Sequence, residues 1–316
     1  MTKKVFIDGD VGTTGLQIRQ RLESRSDIDL VRLPDDLRKD KDARRTALNS
    51  ADAVILCLPD EAAKEAVSLI ENPNVCVIDA STAHRVDEAW TYGFPEMAAG
   101  QRDAIRGSKR ISNPGCYATG FIALMRPLTE AGIVPPFWPA TCNAVSGYSG
   151  GGKAMIAEFE TLPENGGTAD NYRIYRTNLQ HKHLPEMTVF GGLESPPVFT
   201  PAVGRYVQGM IVEIPLQLWA LPGEPELVTL HEILSSAYAK ERFVTVAPLS
   251  QSDATNDVQP EMLNNTNQLL IHVFGDVMGQ QARLVAVLDN LGKGASGAAV
   301  QNLNLVLGVD EGLGLV

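Results

Sequence analysis

Residues 5–22 read VFIDGDVGTTGLQIRQRL and decide the fold of the N-terminal half of this 316-residue chain. Val5-Phe6-Ile7 predicts a short buried strand, and Ile18 and Leu22 lie four positions apart, as on one face of a helix. The turn between strand and helix is rich in glycine, which lets backbone N–H groups approach a pyrophosphate at the helix N-terminus. The order strand, glycine turn, helix therefore predicts a dinucleotide-binding unit. Its glycines are Gly9, Gly12 and Gly15, a Gly-x-x-Gly-x-x-Gly spacing that departs from the commoner Gly-x-Gly-x-x-Gly.

Further apolar runs outside this unit predict a doubly wound parallel sheet. They cover residues 28–33, 53–59 and 75–79, and a helix is expected from Asp60 to about Glu71. The second strand ends near groups that favour either cofactor: Asp35 and Asp36 suit the ribose hydroxyl of NAD, whereas Arg32, Arg38 and Lys39 suit the 2′-phosphate of NADP. The local sequence leaves the choice open, and the basic residues favour NADP.

The second half of the chain has a different pattern, with long strands separated by loops. Strands are expected over 137–145, 208–217, 268–274 and 283–288, and helices over 229–240 and 298–307. The predicted fold class is therefore α/β, with a Rossmann-type parallel-sheet domain followed by an α+β domain whose sheet is mainly antiparallel.

Composition excludes several classes of protein. The chain has 27 basic and 38 acidic residues, a net charge of −11, and no long basic stripe, so we expect no nucleic-acid partner. We expect no membrane partner and a cytoplasmic location, because the sequence contains neither a signal peptide nor a run of about 18 apolar residues. Four cysteines in a chain of this length do not form a disulfide framework. Three of them lie in apolar runs where packing is the default role: Cys57, Cys76 and Cys142.

Cys116 has different surroundings, because it follows Pro114-Gly115 and begins an apolar run that predicts a helix. Unpaired backbone N–H groups and the positive end of the helix dipole favour thiolate over thiol in a first helical turn. We therefore expect a lowered pKa for the Cys116 thiol, which would make it a nucleophile rather than a packing residue.

A nucleophilic cysteine needs a proton partner, and the chain offers one pair of histidines, His181 and His183. If this segment is extended, alternate side chains point the same way, so both imidazoles face one cleft with Glu186 near enough to orient one of them. A metal site is not expected, because the remaining histidines show no ligand spacing.

Two other segments are candidate ligand sites. Residues 146–153 form a glycine-rich stretch after a strand, which suits an oxyanion or phosphate with Lys153 supplying charge. Residues 79–85 lie at the carboxyl end of a predicted Rossmann strand, where Arg85 is placed to bind a carboxylate or phosphate.

A dinucleotide site combined with an activated cysteine predicts oxidoreduction through a thioester: the thiolate takes the acyl group, and the nicotinamide supplies hydride. Two other classes use only part of these features. A cysteine hydrolase has no use for the glycine turn, and a silent nucleotide-binding regulator has no need of a thiolate.

The motifs together resemble the shorter form of the N-acetyl-γ-glutamyl-phosphate reductases of arginine biosynthesis, within the semialdehyde dehydrogenase superfamily. Five segments carry the resemblance: residues 9–15, 92–96, 112–117, 181–186 and 293–304. It implies NADPH as hydride donor, N-acetylglutamyl 5-phosphate as the small-molecule substrate, and N-acetylglutamate 5-semialdehyde and phosphate as products. Aspartate-semialdehyde dehydrogenase, which shares the architecture, is the alternative in the same chemical class.

The resemblance also implies the domains, the assembly and the site. Residues 1–115 with 293–316 would bind NADP, and residues 116–292 would form the catalytic and oligomerisation domain of a homodimer or homotetramer. Cys116 would be the nucleophile, with His183 favoured as acid/base, His181 as substrate contact, and the choice between the two histidines left open. The expected cofactor contacts are Gly9, Gly12, Thr13, Thr14, Gly15, Arg38 and Ser81. The expected substrate contacts are Arg85, Asn113, Ser146 and Lys153.

Overall fold

The computed structural model describes residues 2–316, which divide into two compact units. The first unit contains the residues up to Pro95, Ala99–Gly115 and Ala295–Val316. The second contains Glu96–Ala98 and Cys116–Gly294. Each unit is built on its own β-sheet.

The regular elements are as follows in chain order. The strands are β1 (Lys3–Asp8), β2 (Ile28–Val31), β3 (Ala53–Leu56), β4 (Cys76–Asp79), β5 (Thr91–Tyr92), β6 (Arg110–Ser112), β7 (Thr141–Gly147), β8 (Tyr172–Ile174), β9 (Val198–Gly204), β10 (Met210–Gln217), β11 (Val244–Val246), β12 (Leu269–Gly275) and β13 (Gln281–Leu288). The helices are α1 (Thr13–Leu22), α2 (Lys41–Ser50), α3 (Asp60–Ser68), α4 (Gln101–Gly107), α5 (Cys116–Glu130), α6 (Gly152–Glu160), α7 (Leu184–Gly191), α8 (Leu227–Tyr238), α9 (Leu249–Ala254) and α10 (Gly297–Leu307).

The sheet of the first unit is parallel throughout, with the strand order β2-β1-β3-β4-β6-β5. Strand β1 has β2 on one side and β3 on the other, so the direction in which strands are added reverses at β1. In open α/β sheets, ligands bind beyond the carboxyl ends of the strands at such a switch point. The glycine turn that follows β1 therefore lies where a dinucleotide site is expected.

Alternate residues of this sheet enter two hydrophobic layers, one on each face. Val5 and Ile7 pack in the layer that contains α1 and α10 residues, whereas Phe6 packs in the layer that contains α2 and α3 residues. A parallel sheet covered on both faces needs apolar residues at every position of its central strands, which explains the continuous run of β3.

Three predicted elements of the first unit end earlier than expected. The strand expected over 53–59 ends at Leu56. The second strand ends at Val31 instead of residue 33. The helix expected to reach Glu71 ends at Ser68. After this helix, the Asn49 side-chain oxygen accepts hydrogen bonds from the N–H groups of Glu71 and Asn72, and this tertiary bond replaces the helical pattern.

The second unit contains a mixed sheet with the order β11-β12-β13-β10-β7-β9-β8. Most neighbours are antiparallel, as predicted, but β7 pairs with β9 and β11 with β12 in parallel. The first long strand begins at Thr141 rather than at residue 137, because Pro135 and Trp138 close a turn just before it. Strands β8, β9 and β11 were not predicted.

Helix α5 packs on one face of this sheet. Gly120 permits the contact, because a Cβ atom there would lie 2.7 Å from the Val212 side chain of β10. The hydroxyl of Tyr238 in α8 donates to the Ala123 carbonyl of α5 at 2.8 Å. On the opposite face, a cavity of about 590 Å³ lies between residues 255–258 and strands β10, β12 and β13.

Within residues 2–316, no helix is both long and apolar enough to cross a bilayer. Helix α10 is apolar and nearly fully buried, as predicted, but it has only 11 residues.

Candidate active site

Cys116 is the first residue of α5, as the Pro-Gly turn predicts. Its side chain is partly exposed, whereas the following residues 117–125 are all buried. Cys116 therefore lies at the positive dipole end of a 15-residue helix. The fold therefore gives Cys116 the electrostatic surroundings and the access that a nucleophile needs.

Gly294 lies directly against Cys116, a contact the sequence analysis did not identify. A Cβ atom at Gly294 would stand 2.7 Å from the Cβ of Cys116, so no other residue fits there without displacing Cys116. The Gly294 N–H donates to the Asp289 carbonyl at 2.9 Å, which fixes this backbone. The only sequence signal was the glycine itself, within the 293–304 segment.

The histidine pair lies in a turn, and the expectation of an extended segment is wrong. The Leu184 N–H donates to the His181 carbonyl at 3.0 Å, and His183 has helical dihedrals and caps α7. The pair still shares one site, because the two rings are 4.6 Å apart and both contact the ring of Tyr117, at 5.7 and 5.8 Å. Glu186 follows in the first turn of α7 with 1% of its surface exposed.

One hydrogen bond distinguishes the two histidines. The backbone N–H of His183 donates to Nδ1 of His181 at 3.1 Å, so Nδ1 of His181 is an acceptor and carries no proton. The proton of a neutral His181 then lies on Nε2. His181 is therefore a donor through Nε2 and has no basic nitrogen available toward a substrate.

Two tyrosines complete the surroundings of the histidines. The Tyr175 hydroxyl donates to the Tyr117 hydroxyl at 3.1 Å, and the Tyr117 hydroxyl donates to the Ala202 carbonyl at 3.0 Å. Burial raises the pKa of Tyr117 well above its usual value. Burial also raises the pKa of Tyr175 to about 12. The hydrogen bond to Tyr117 lowers this pKa, and a negative charge on Cys116 raises it. Both phenols therefore stay protonated at neutral pH, near the nucleophile.

The glycine-rich segment after β7 is a 3₁₀ turn, Tyr148–Gly151, that leads into α6. Ser146 and Ser149 are buried, and the Asn290 amide donates to Ser149 Oγ at 3.1 Å. The oxygen of the same amide accepts the Gly209 N–H at 2.8 Å, so Asn290 joins this turn to the start of β10. Lys153 lies exposed in the first turn of α6.

In the first unit, the glycine turn is a close backbone cradle. Gly9 has φ = +92°, and a Cβ atom on it would lie 2.4 Å from the Cys57 carbonyl oxygen. A Cβ atom on Gly15 would lie 2.3 Å from the Gly9 oxygen, and the Gly12 N–H donates to that same oxygen at 3.0 Å. Helix α1 begins at Thr13 and Thr14, so its first N–H groups face this turn.

A cavity of about 410 Å³ adjoins the glycine turn and is lined by both groups that the sequence left as alternatives for the ribose. Arg38 lies in its wall and pairs with Asp35 at 2.9 Å and with Asp10 at 3.7 Å. Arg32, Asp36 and Lys39 also line the cavity. A guanidinium and a carboxylate, those of Arg38 and Asp35, therefore lie side by side where a dinucleotide fold binds the 2′-substituent of the ribose.

The segment after β4 is held by buried hydrogen bonds. Asp79 accepts from the backbone and hydroxyl of Ser81 at 2.9 and 2.7 Å and contacts His84 Nδ1 at 2.7 Å. Arg85 is buried rather than in a surface ion pair, and it donates to the carbonyls of Asn113 and Ala80. These bonds fix the chain just before the Pro-Gly turn.

Asn113, expected to contact substrate, uses its amide within the first unit. Its oxygen accepts from Asn302 at 3.1 Å, and its nitrogen donates to the Ala295 carbonyl at 3.0 Å. These contacts give Asn113 a positioning role. In the described part of the chain, no group of three or more His, Cys, Asp or Glu side chains is arranged to hold a metal ion.

Comparison with known proteins agrees with this architecture. Residues 4–107 match the family model described as "Semialdehyde dehydrogenase, NAD binding domain", and residues 116–290 match "Semialdehyde dehydrogenase, dimerisation domain". Among solved structures, aspartate semialdehyde dehydrogenase II from Vibrio cholerae has a TM-score of 0.71 at 17% identity, over 97% of this chain and 98% of that one. The enzyme from Francisella tularensis has the same TM-score at 15% identity, with 97% and 100% covered. These structures establish the fold alone.

Curated relatives are much more similar in sequence. "N-acetyl-gamma-glutamyl-phosphate reductase 2" from a Nostoc species is 51% identical over 99% of this chain and 99% of its own. A protein of the same family name from Brucella anthropi is 51% identical, with 98% of this chain and 99% of its own covered. The chain therefore belongs to the N-acetyl-gamma-glutamyl-phosphate reductase family, built on the semialdehyde dehydrogenase fold.

Proposed function

We propose that this protein reduces N-acetylglutamyl 5-phosphate to N-acetylglutamate 5-semialdehyde with NADPH, releasing phosphate, in arginine biosynthesis. The observation that carries the proposal is the 51% sequence identity, over nearly the full chain, to relatives named N-acetyl-gamma-glutamyl-phosphate reductase. The position of Cys116 at the start of α5 supports it, and so does the histidine pair, whose rings both contact Tyr117, the residue that follows Cys116. Acyl transfer to a thiol needs both a thiolate and a proton carrier.

Cys116 carries the acyl group. Its thiolate sulfur attacks the acyl carbon, the C–O bond to phosphate breaks, and inorganic phosphate leaves, giving a thioester. NADPH, when bound, supplies the hydride that reduces this thioester. Breaking the bond between the acyl carbon and Sγ then releases the aldehyde and leaves Cys116 as a thiolate. Gly294 leaves room for Cys116 during these steps, because a Cβ atom there would lie 2.7 Å from the Cβ of Cys116.

His183 is the acid/base of this proposal. His181 holds its proton on Nε2, because its Nδ1 accepts the His183 N–H, and so it serves as a hydrogen-bond donor to the acyl oxygen or another substrate oxygen. Proton transfer falls to His183, which takes the thiol proton before attack and neutralises the oxygen that develops charge. Glu186, buried one turn into α7, is proposed to support the imidazole of His183.

The residues of the first unit fit a dinucleotide. The glycine turn has no room for side chains at Gly9 and Gly15, which lets a pyrophosphate approach the backbone at Gly12, Thr13 and Thr14. Arg38 in the cavity wall is the proposed partner of the 2′-phosphate, and Ser81 lies at the carboxyl end of β4 as a further cofactor contact. On this basis residues 1–115 with 293–316 form the NADP domain.

The remaining substrate contacts are proposed from charge and position. Ser146 and Lys153 flank the 3₁₀ turn and the start of α6, where helix N–H groups suit an anion. Arg85, a buried cation at the carboxyl end of β4, is the proposed partner of the substrate phosphate. Asn113 contributes through the position it gives to the turn before Cys116.

The second domain, residues 116–292, is proposed to join protomers into a homodimer or homotetramer. The family model that covers it is described as a dimerisation domain. The sheet face opposite α5 is partly accessible, because every second residue of β10 is buried and the residues between them are half-buried or exposed. The cytoplasmic location expected from the sequence remains a prediction.

The decisive assay runs the reaction in the oxidative direction. Phosphate-dependent reduction of NADP with N-acetylglutamate semialdehyde should be fast, and aspartate semialdehyde should be a poor substrate. The reverse preference would establish the aspartate enzyme instead. A protein that binds no nicotinamide nucleotide would point to a hydrolase, and one that binds it without rapid alkylation of Cys116 would point to a regulator.

A further inference from the structure

The turn between β8 and the histidine pair has an unusual backbone. Within residues 2–316, positive φ at non-glycine residues occurs at Arg176 (54°), Leu179 (58°), Glu224 (44°) and Asn265 (66°). Two of these residues therefore lie in one short turn, which the Leu179 N–H closes by donating to the Arg176 carbonyl at 3.0 Å.

This backbone is unfavourable for the side chains it carries. The left-handed region is favourable for glycine and tolerated by asparagine, whereas arginine and leucine adopt it at a free-energy cost. Such strain tends to be retained at binding and catalytic positions, where the surrounding structure imposes it. The strained turn begins directly after Tyr175 and ends just before His181, so it connects two members of the active site.

Arg176 also differs from the other arginines around this turn in having no protein partner. Arg173 pairs with Glu158 at 2.6 Å and with Asp170 at 2.7 Å. Arg205 donates to the carbonyls of Asp170 and Phe159. The guanidinium of Arg176 is exposed and forms no ion pair or side-chain hydrogen bond with any residue from 2 to 316. Its five donors are therefore available to a ligand.

A pair of bonded hydroxyls connects the turn to the neighbourhood of Cys116. Arg176 directly follows Tyr175, whose hydroxyl donates to the Tyr117 hydroxyl at 3.1 Å, and Tyr117 directly follows Cys116. Burial sets the raised pKa of Tyr175, a charge on Cys116 raises that pKa further, and the charge of Arg176 lowers it. The Cys116 sulfur and the Arg176 guanidinium thus lie within electrostatic reach of the same hydroxyl.

We propose that Arg176 is a specificity-determining residue that binds the carboxylate of the substrate while Cys116 holds its acyl group. This assignment rests on the proposed function, whose substrate carries a carboxylate that stays on the molecule through both half-reactions. A planar guanidinium can bind the two carboxylate oxygens side by side, which fixes orientation as well as adding affinity.

The first test uses alkylation of Cys116 and does not depend on the identity of the substrate. Iodoacetate carries a carboxylate and iodoacetamide does not, so a nearby cation raises the ratio of their rates. Arg176→Gln should lower this ratio about 3- to 10-fold, the range expected for one charge at partly screened distance. Lys240→Gln, which removes an exposed cation of the same unit, should leave it unchanged. An unchanged ratio in Arg176→Gln would overturn the proposal.

The second test uses steady-state kinetics in the oxidative direction. Arg176→Gln should raise KM for N-acetylglutamate semialdehyde about 10- to 100-fold with kcat within a few-fold, as for loss of a charged hydrogen-bond pair. Arg176→Lys should recover part of this loss, and KM for phosphate should not change. A rise in KM for phosphate alone would assign Arg176 to the phosphate and refute carboxylate binding.

Arg176→Gly separates binding from structure. Glycine adopts φ = 54° without strain, so its Tm should equal or exceed that of the wild type while KM rises as in Arg176→Gln. A lowered Tm with unchanged KM would mean that Arg176 acts only in folding. If no variant turns over this aldehyde, the proposed function fails, and the alkylation ratio still decides whether Arg176 serves the site.

Discussion

Cys57 and Cys116 follow two strands of the same parallel sheet, β3 and β6, yet only Cys116 has the surroundings of a nucleophile. The N–H of Cys57 donates to the Asp8 carbonyl, and its own carbonyl lies against Gly9. Burial raises the pKa of the Cys57 thiol far above its usual value, and nearby carboxylates raise it further. Cys116 instead begins a helix, and the next residue, Tyr117, contacts the rings of His181 and His183. Two cysteines that follow strands of one sheet therefore have different surroundings, and we predict that the position at a helix N-terminus makes Cys116 the reactive one.

The largest effect is expected from removing the nucleophile. Cys116→Ser should lower kcat by about 10⁴-fold or more, because loss of the attacking group leaves only binding and electrostatic effects. Binding of NADPH, measured by fluorescence titration, should remain close to wild type.

Cys57→Ser is the matched control for this variant and should retain most of the activity. Full turnover by Cys116→Ser, or equal loss in both variants, would contradict the distinction between the two cysteines.

The next prediction distinguishes the roles of His181 and His183. His183→Gln should lower kcat by about 10²- to 10⁴-fold, the range for loss of a general acid/base. His181→Gln keeps a side-chain N–H donor and should act mainly on KM. Steady-state kinetics of both variants measure the difference. A larger fall of kcat in His181→Gln would reverse the two roles and refute the tautomer argument.

For Cys57, we expect the backbone carbonyl, which lies against Gly9, to affect stability and NADPH binding more than the thiol does. Gly9→Ala places a Cβ atom 2.4 Å from the Cys57 carbonyl oxygen at φ = +92°. It should destabilise the fold by roughly 2–4 kcal/mol, from left-handed strain and overpacking together, and weaken NADPH binding. Urea unfolding and fluorescence titration measure the two effects.

Gly107→Ala is the control for Gly9→Ala, because it lies at the end of α4 with no atom within 4 Å of the added Cβ and no positive φ. It should be neutral. Equal destabilisation by both variants would contradict the role given to the Gly9–Cys57 contact.

The smallest effect concerns stability at high pH. Burial raises the pKa of Cys76 in β4 to about 11, above the unfolded value, so the unfolded state releases this proton first as pH rises. The stability that the neutral Cys76 thiol contributes is fully present below about pH 9 and is lost as the pH rises from there to 11. By linkage, this loss lowers the free energy of unfolding by at most roughly 2–3 kcal/mol. Urea unfolding at pH 8 and 10.5 should show a smaller loss of stability in Cys76→Ala than in wild type. An equal loss in Cys76→Ala and wild type would exclude this account.

The sequence by itself determined the parts of the protein that depend on local chemistry. The glycine turn after β1, the start of α5 at Cys116 and the continuous apolar strands of the parallel sheet follow from backbone sterics, capping and hydrophobic pattern, which act over a few residues. The motifs also carried the family resemblance, because they occur in order along most of the chain.

Only the tertiary structure decided the contacts between distant segments. The histidine segment forms a turn instead of an extended strand. Gly294 lies against Cys116, 178 residues away in sequence, and Tyr117 is hydrogen-bonded to Tyr175, 58 residues away. The strands β8, β9 and β11, which were not predicted, likewise owe their pairing to neighbours far along the chain. Local periodicity contains no information about which remote segment supplies a hydrogen bond or fills a space, and in this protein those contacts complete the site around the cysteine.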